Sequence, residues 1–271
     1  MPMLRWLLYG LLPAIAAVLV FVGVGGPRLA ALGLAAGIAV PFGLLTAWPA
    51  WPWEIDLQAG TALSWLFWCV AFAGVLGTLH DLRWLPKMLT IPLEAALVVM
   101  LPWVLSAPLR PRWSFERGLL YLSVAWLGLV VVWWTLRRAS ETRPGMLVPA
   151  AGVLCLSGDL WLVLSRDHDL SWQLLAAGIA ALATAMLVST WKRPFQLGSG
   201  ATLVIVLLHG GMLLACRVYA GFPPGALLLA LLAPVPLWVS SHRNFDDSRR
   251  TGACIGLGLS AAMLGVACGV L

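Results

Sequence analysis

The chain is expected to fold as an all-α polytopic membrane protein, one helical bundle spanning residues 1–271. Three observations point there. Ten apolar runs of about 15 to 20 residues follow one another with short polar joints between them, and a helix needs about 20 apolar residues to cross a hydrocarbon core of roughly 30 Å. The chain is 61% hydrophobic and 10% charged, with a mean hydropathy of +0.93, where a soluble protein carries about 25% charged residues. Many of its 16 tryptophans fall at the ends of the runs, the depth at which an indole buries its ring and keeps its N–H wet.

Taken in order, the expected spans are 7–24, 29–48, 62–79, 91–107, 118–136, 146–165, 172–191, 201–220, 226–241 and 253–271. Their length excludes membrane strands, which need about 10 alternating residues. The first span follows Arg5 and is too long for a signal-peptide core, and Gly25-Gly26-Pro27 is no small-x-small cleavage site, so it reads as a retained helix. The second runs into Trp48-Pro49-Ala50-Trp51-Pro52-Trp53, read as a rigid joint on the membrane surface. Trp6, Trp84, Trp113, Trp172, Trp191 and Trp238 mark other span ends. The fourth and ninth spans are the shortest and carry Pro92 and Pro102, and Pro234 and Pro236. Five cysteines, Cys69, Cys155, Cys216, Cys254 and Cys268, lie within apolar runs without metal or redox spacing, and read as small buried hydrophobes.

The formal net charge of +6 is dispersed over helix ends. Arg110, Arg112 and Arg117 frame one joint, Arg137, Arg138 and Arg143 another, and Arg243, Arg249 and Arg250 a third. Such clusters set topology and touch anionic head groups. Nucleic-acid binding is excluded, because no joint offers a contiguous basic surface. The joints after odd-numbered spans hold about eleven of the 17 Lys and Arg, which favours non-cytoplasmic termini in a bacterial inner membrane, although Arg5 opposes it.

An internal echo divides the chain near its middle. Pro102-Trp103-Val104-Leu105-Ser106 resembles Pro236-Leu237-Trp238-Val239-Ser240, and Glu116-Arg117-Gly118 resembles Arg250-Thr251-Gly252, each displaced by 134 residues (236 less 102; 250 less 116). Halves 1–138 and 139–271, of five helices each, would be inverted repeats, because five is odd. In transporters of that construction, proline-interrupted helices at matching positions mark the substrate site. Pro102, Pro234 and Pro236 are therefore candidates to line a cavity; the alternative is a packing kink satisfied by neighbouring helices.

Ionisable groups within spans are costly and are functional candidates by default. Asp159 is too short to reach water and must face the interior, as a proton carrier, as a counter-charge to a cationic substrate, or in a fixed pair with a base such as Arg217. His209, beside Gly210 and Gly211, is either hydrogen-bonded to a neighbouring helix or part of a proton relay. Glu94 reads as a first-turn acid facing a helix dipole, with a coupling carboxylate as the alternative. The polar joint 166–169 (Arg-Asp-His-Asp) lacks further ligands at metal spacing and reads as a solvated turn. His80, His168 and His242 sit at span ends, so no imidazole pairs with His209 to hold a haem; neither cofactor nor metal is expected.

No nucleophile or phosphate-binding motif is present, so no residue is assigned a catalytic role and the sequence favours a non-enzyme. A lipid-acting intramembrane enzyme would need a polar cluster at one interface, and residues 166–169 are the nearest approach. Length and helix count resemble the drug/metabolite transporter superfamily in architecture alone, and that resemblance transfers no residues. The charge distribution predicts the opposite orientation from that group. The partners expected are the lipid bilayer and either an unidentified small-molecule substrate or the other subunits of a membrane complex. A transporter needs polar groups converging on a cavity. A structural subunit packing against helices, lipids or pigments tolerates nearly uniform apolarity.

Overall fold

The computed structural model describes residues 5–46, 62–107, 109–142, 146–165, 171–191, 197–240 and 249–269. Among these residues every regular element is helical: α1 (Leu12–Gly25), α2 (Ala30–Thr46), α3 (Ala62–Asp81), α4 (Lys87–Leu105), α5 (Phe115–Thr142), α6 (Leu147–Leu164), α7 (Ser171–Trp191), α8 (Ser199–Ala220), α9 (Pro224–Leu232), α10 (Pro236–Ser240) and α11 (Arg249–Gly269). Seven stretches are long and apolar enough to cross a membrane: Leu7–Leu45, Met88–Leu105, Phe115–Thr142, Leu147–Leu164, Trp172–Thr190, Ser199–Val218 and Gly252–Gly269. The protein is therefore a multi-pass, integral membrane protein by the length and composition of its helices.

The longest stretch folds back on itself. Leu7–Leu11 is π-helical, because Pro13 has no N–H to offer the turn before it and the carbonyls shift to later donors. Beyond α1, Gly26 adopts φ +61 and a 3-10 turn, Gly26–Leu29, reverses the chain. Gly33 then lies against Val18 and Phe21, and Gly37 against Ala14 and Val18, an antiparallel register for α1 and α2.

Helix α8 is the axis of the bundle, with most of Ser199–Val218 buried. It packs on α2, α3, α4, α5, α6 and α9. Lipid supplies no hydrophobic drive between helices, so close approach at small residues has to hold them together. Gly77 of α3 meets Gly200 of α8 backbone to backbone; a Cβ at Gly77 would lie 2.6 Å from the Gly200 carbonyl oxygen. At mid-helix, Gly211 receives Leu66 of α3 and Gly210 receives Leu129 of α5. Outward-facing aromatics such as Trp134 and Trp161, 62% and 65% exposed, present their rings where lipid would lie.

Several expectations change. The fourth span begins earlier, at Lys87, and Pro92 and Pro102 lie inside an unbroken α4. The ninth is divided at residues 233–235 into α9 and α10, and its apolar stretch Pro224–Trp238 is too short to count among the seven. Cys254 is exposed on α11, where Cys69, Cys155 and Cys216 are buried. The Trp48–Trp53 joint and the 166–169 turn lie outside the described residues.

Gly200→Val should wedge α3 from α8 and cost at least about 3 kcal/mol, because backbone rather than a flexible side chain occupies the space. Gly265→Ala, with no atom within 4 Å of the added methyl, should be neutral. Thermal unfolding of the two variants in detergent checks the difference.

Candidate functional site

Helix α9 ends where it does because of Pro234. Proline has no N–H, so the carbonyl of Ala230, four residues earlier, loses its helical donor. The chain tightens instead: Ala233 N–H donates to Ala230 O at 3.1 Å, Val235 N–H to Leu232 O at 2.9 Å, and Leu237 N–H to Pro234 O at 3.1 Å. The Ala230 carbonyl gains a second donor from another helix, His209 Nε2–H of α8, at 3.2 Å. His209 Nδ1 lies 2.6 Å from Asp159 Oδ2 of α6. Both side chains are buried, at 1% and 0% exposure.

A count of protons defines this chain. A carbonyl can only accept, so Nε2 must carry hydrogen. The contact between Nδ1 and Oδ2 holds one proton more, seated on either atom. Both arrangements are neutral overall, which is the condition for leaving the pair in a dry interior. Asp159 Oδ1 has no hydrogen-bond partner among the described residues. Buried acceptors are rarely left empty, so the pair ends in an open acceptor beside α11, whose Leu264 packs on Gly158.

Arg217 is not the partner of Asp159. It stands near the C-terminal end of α8, and its Nη1 donates to the Phe222 carbonyl at 2.8 Å. That contact closes the helix end, where Gly221 takes φ +68 and donates to Cys216 O.

Glu94 also has a different setting. Because α4 starts at Lys87, Glu94 lies two turns in and is no first-turn acid. Its Oε1 accepts from His80 Nδ1 of α3 at 2.8 Å and its Oε2 from Arg137 Nη1 of α5 at 2.8 Å. Both carboxylate oxygens are satisfied, and one side chain ties three helices together at this end of the bundle. Arg137 reaches on to Glu141 at 3.5 Å. Beside this clasp, Asp81 Oδ1 accepts from Gly200 N–H at 3.3 Å and Ser199 Oγ–H at 3.4 Å, at the start of α8. Burial pushes the Asp81 carboxyl up to about 6.

Pro102 lines a cleft of about 120 Å³ at the opposite end, between α4, α5, α8 and α9. Gly210 and Leu231, the neighbours of His209 and Ala230, line it as well, and Arg217 is a lining residue. Of the seven residues singled out by sequence, Asp159 and His209 are joined directly and Pro234 acts through Ala230. Pro102 and Arg217 share the cleft. Pro236 opens α10 and touches neither, and Glu94 belongs to the other end. His80 and Arg137 were missed as partners of Glu94. Their common signal is position: each stands within two turns of a span end on the side where Glu94 lies.

No family model matches this chain, and neither a curated protein nor a solved structure is similar to it.

His209→Leu should destabilise the protein by about 3 to 5 kcal/mol, because it strands Asp159 without its partner. The double variant Asp159→Leu with His209→Leu should recover most of that loss, a coupling measured by a double-mutant cycle on thermal unfolding. Glu94→Leu should cost less than His209→Leu, because Arg137 keeps Glu141 as a partner.

Asp81 holds its proton more tightly folded than unfolded, with a value of about 6 against an ordinary 3.8. Its contribution to stability is therefore greatest below about pH 4, declines as the pH rises to about 6 and levels beyond. Thermal unfolding from pH 4 to 7 should show this step in the parent protein and lack it in Asp81→Asn.

Proposed function

We propose that this protein is a small-molecule transporter whose moving part is the broken α9–α10 segment and whose coupling group is the Asp159–His209 pair. The observation that carries the reading is the bonded chain from Asp159 through His209 to the carbonyl released by Pro234. It connects α6, α8 and α9 in a form that responds to one proton. Removing the shared proton leaves a buried anion, and adding one breaks the charge balance the other way. Loss of the proton draws the imidazole N–H toward the bare carboxylate and weakens the hold of His209 on Ala230, whereas gain of one makes an imidazolium that holds it more firmly, and an interrupted helix is the element best able to shift in answer.

The remaining expectations join this reading. Ten crossings follow if α1 and α2 each span, α3 spans, and α9 with α10 spans as one broken helix. The halves 1–138 and 139–271 are then inverted repeats, with the α1–α2 hairpin matched by the packed pair α6–α7 and with α3 against its counterpart α8. Helix α4 lacks the break of α9, so one half moves and the other holds. The charge distribution favours non-cytoplasmic termini in a bacterial inner membrane, against the single Arg5.

Alternating access tests the proposal without a known substrate. In a background with all five cysteines replaced, Leu214→Cys should react with a membrane-impermeant maleimide from the side of the cleft. Thr202→Cys, toward the other end of α8, should react from the opposite side, with yields that shift in opposite directions when Asp159→Asn is added. A Thr202→Cys that stays unreactive from both sides under proton gradients of either sign sinks the transporter reading.

A further inference from the structure

The cleft between α4, α5, α8 and α9 has one property the transport reading does not use: a cation without an anion at an apolar mouth. Arg217 is half-buried there, and the acceptor it finds among the described residues is a backbone carbonyl. Among the described residues no carboxylate pairs with it. Arg110, next in sequence to the lining residue Leu109, stacks over Trp103 at 4.1 Å, and its Nε is buried without an acceptor among the described residues. Arg217 itself stands at the rim of the cleft with donors to spare.

Below this rim the walls are hydrocarbon, built by Pro102, Leu213, Leu214, Leu227 and Leu231. The flanking residues Tyr121 and Leu228 are 41% and 38% exposed, so the cleft opens sideways to the bilayer. From Arg217 down to Gly210 is two helical turns, about 10 Å, a third of the hydrocarbon core. An occupant with a charged head at the rim and a chain along α8 matches both the charge and the depth.

We propose that this cleft binds an anionic phospholipid from the surrounding bilayer, its phosphate on Arg217 and one acyl chain against Leu213, Leu214 and Leu231. A guanidinium is suited to the head, since its planar fork can give a phosphate two parallel hydrogen bonds. The site stands independently of transport.

The test uses the full chain in detergent, stripped of lipid, with retention read by native mass spectrometry and thermal stability alongside. Phosphatidylglycerol should be retained about tenfold better than phosphatidylcholine of the same chains, the expected worth of a charge-assisted contact. Arg217→Gln should bring the two lipids level, and Arg217→Lys should keep part of the preference. Leu214→Trp, which fills the cleft and leaves Arg217 in place, should lower retention of both, and it serves if Arg217→Gln fails to fold. Equal retention of the two lipids by the parent protein overturns the proposal, as does a preference that survives both Arg217→Gln and Leu214→Trp. Glycerol phosphate giving the full stabilisation by itself would show a site for a free anion and overturn the lipid.

Discussion

In hydrocarbon a polar group must find its partner within the protein, and here that requirement is concentrated on one carbonyl. Pro234 takes the helical donor from Ala230 O, and the tightened turn replaces it with Ala233 N–H while His209 on the neighbouring helix adds a second donor. Because His209 gives its Nε2–H outward, its other nitrogen has to be met by a group that shares a proton, and Asp159 is that group. A backbone defect in α9 thereby determines what α8 and α6 must carry at the same depth. Near Pro102 the Val99 carbonyl, one residue past the one that this proline leaves without a donor, accepts the Trp126 indole N–H of α5 at 2.7 Å.

Helix α8 can serve as the common partner because of where its small residues fall. Gly200 admits α3 at one end, and Gly210 and Gly211 admit Leu129 and Leu66 beside His209. A bulkier residue at 210 would push away the wall that keeps the His209 contact dry. Low dielectric around the pair strengthens its hydrogen bonds and raises the cost of an unmatched charge together.

The helical, membrane-spanning class was legible because hydropathy and length are local properties: the spans 146–165, 172–191 and 201–220 fall close to α6, α7 and α8, while 62–79 coincides with helix α3, which is not among the seven membrane-crossing stretches. Asp159 and His209 stood out because a charge within an apolar run is itself the signal. Their pairing was not legible, since 50 residues separate them and nothing in periodicity states which helices face. Sequence offered Arg217 as the base because the sixth and eighth spans run in the same direction and set both groups in the same third of the bilayer; the structure instead uses its donor to close its own helix end. Glu94 was misjudged for a boundary reason. Lys87 to Thr90 are polar enough to read as a joint, yet the helix already begins there after Pro86.

The hairpin of α1 and α2 bears on how the chain is made. Its reversal is a four-residue 3-10 turn holding a single charge, Arg28, and its two arms touch along small residues from Ala14 to Gly37. So short a tip gives the insertion machinery no loop to retain or translocate apart from its arms. The two segments must leave the translocation channel sideways as one unit, so neither arm can reverse its orientation without the other, and the topology of the first 46 residues is decided once rather than twice.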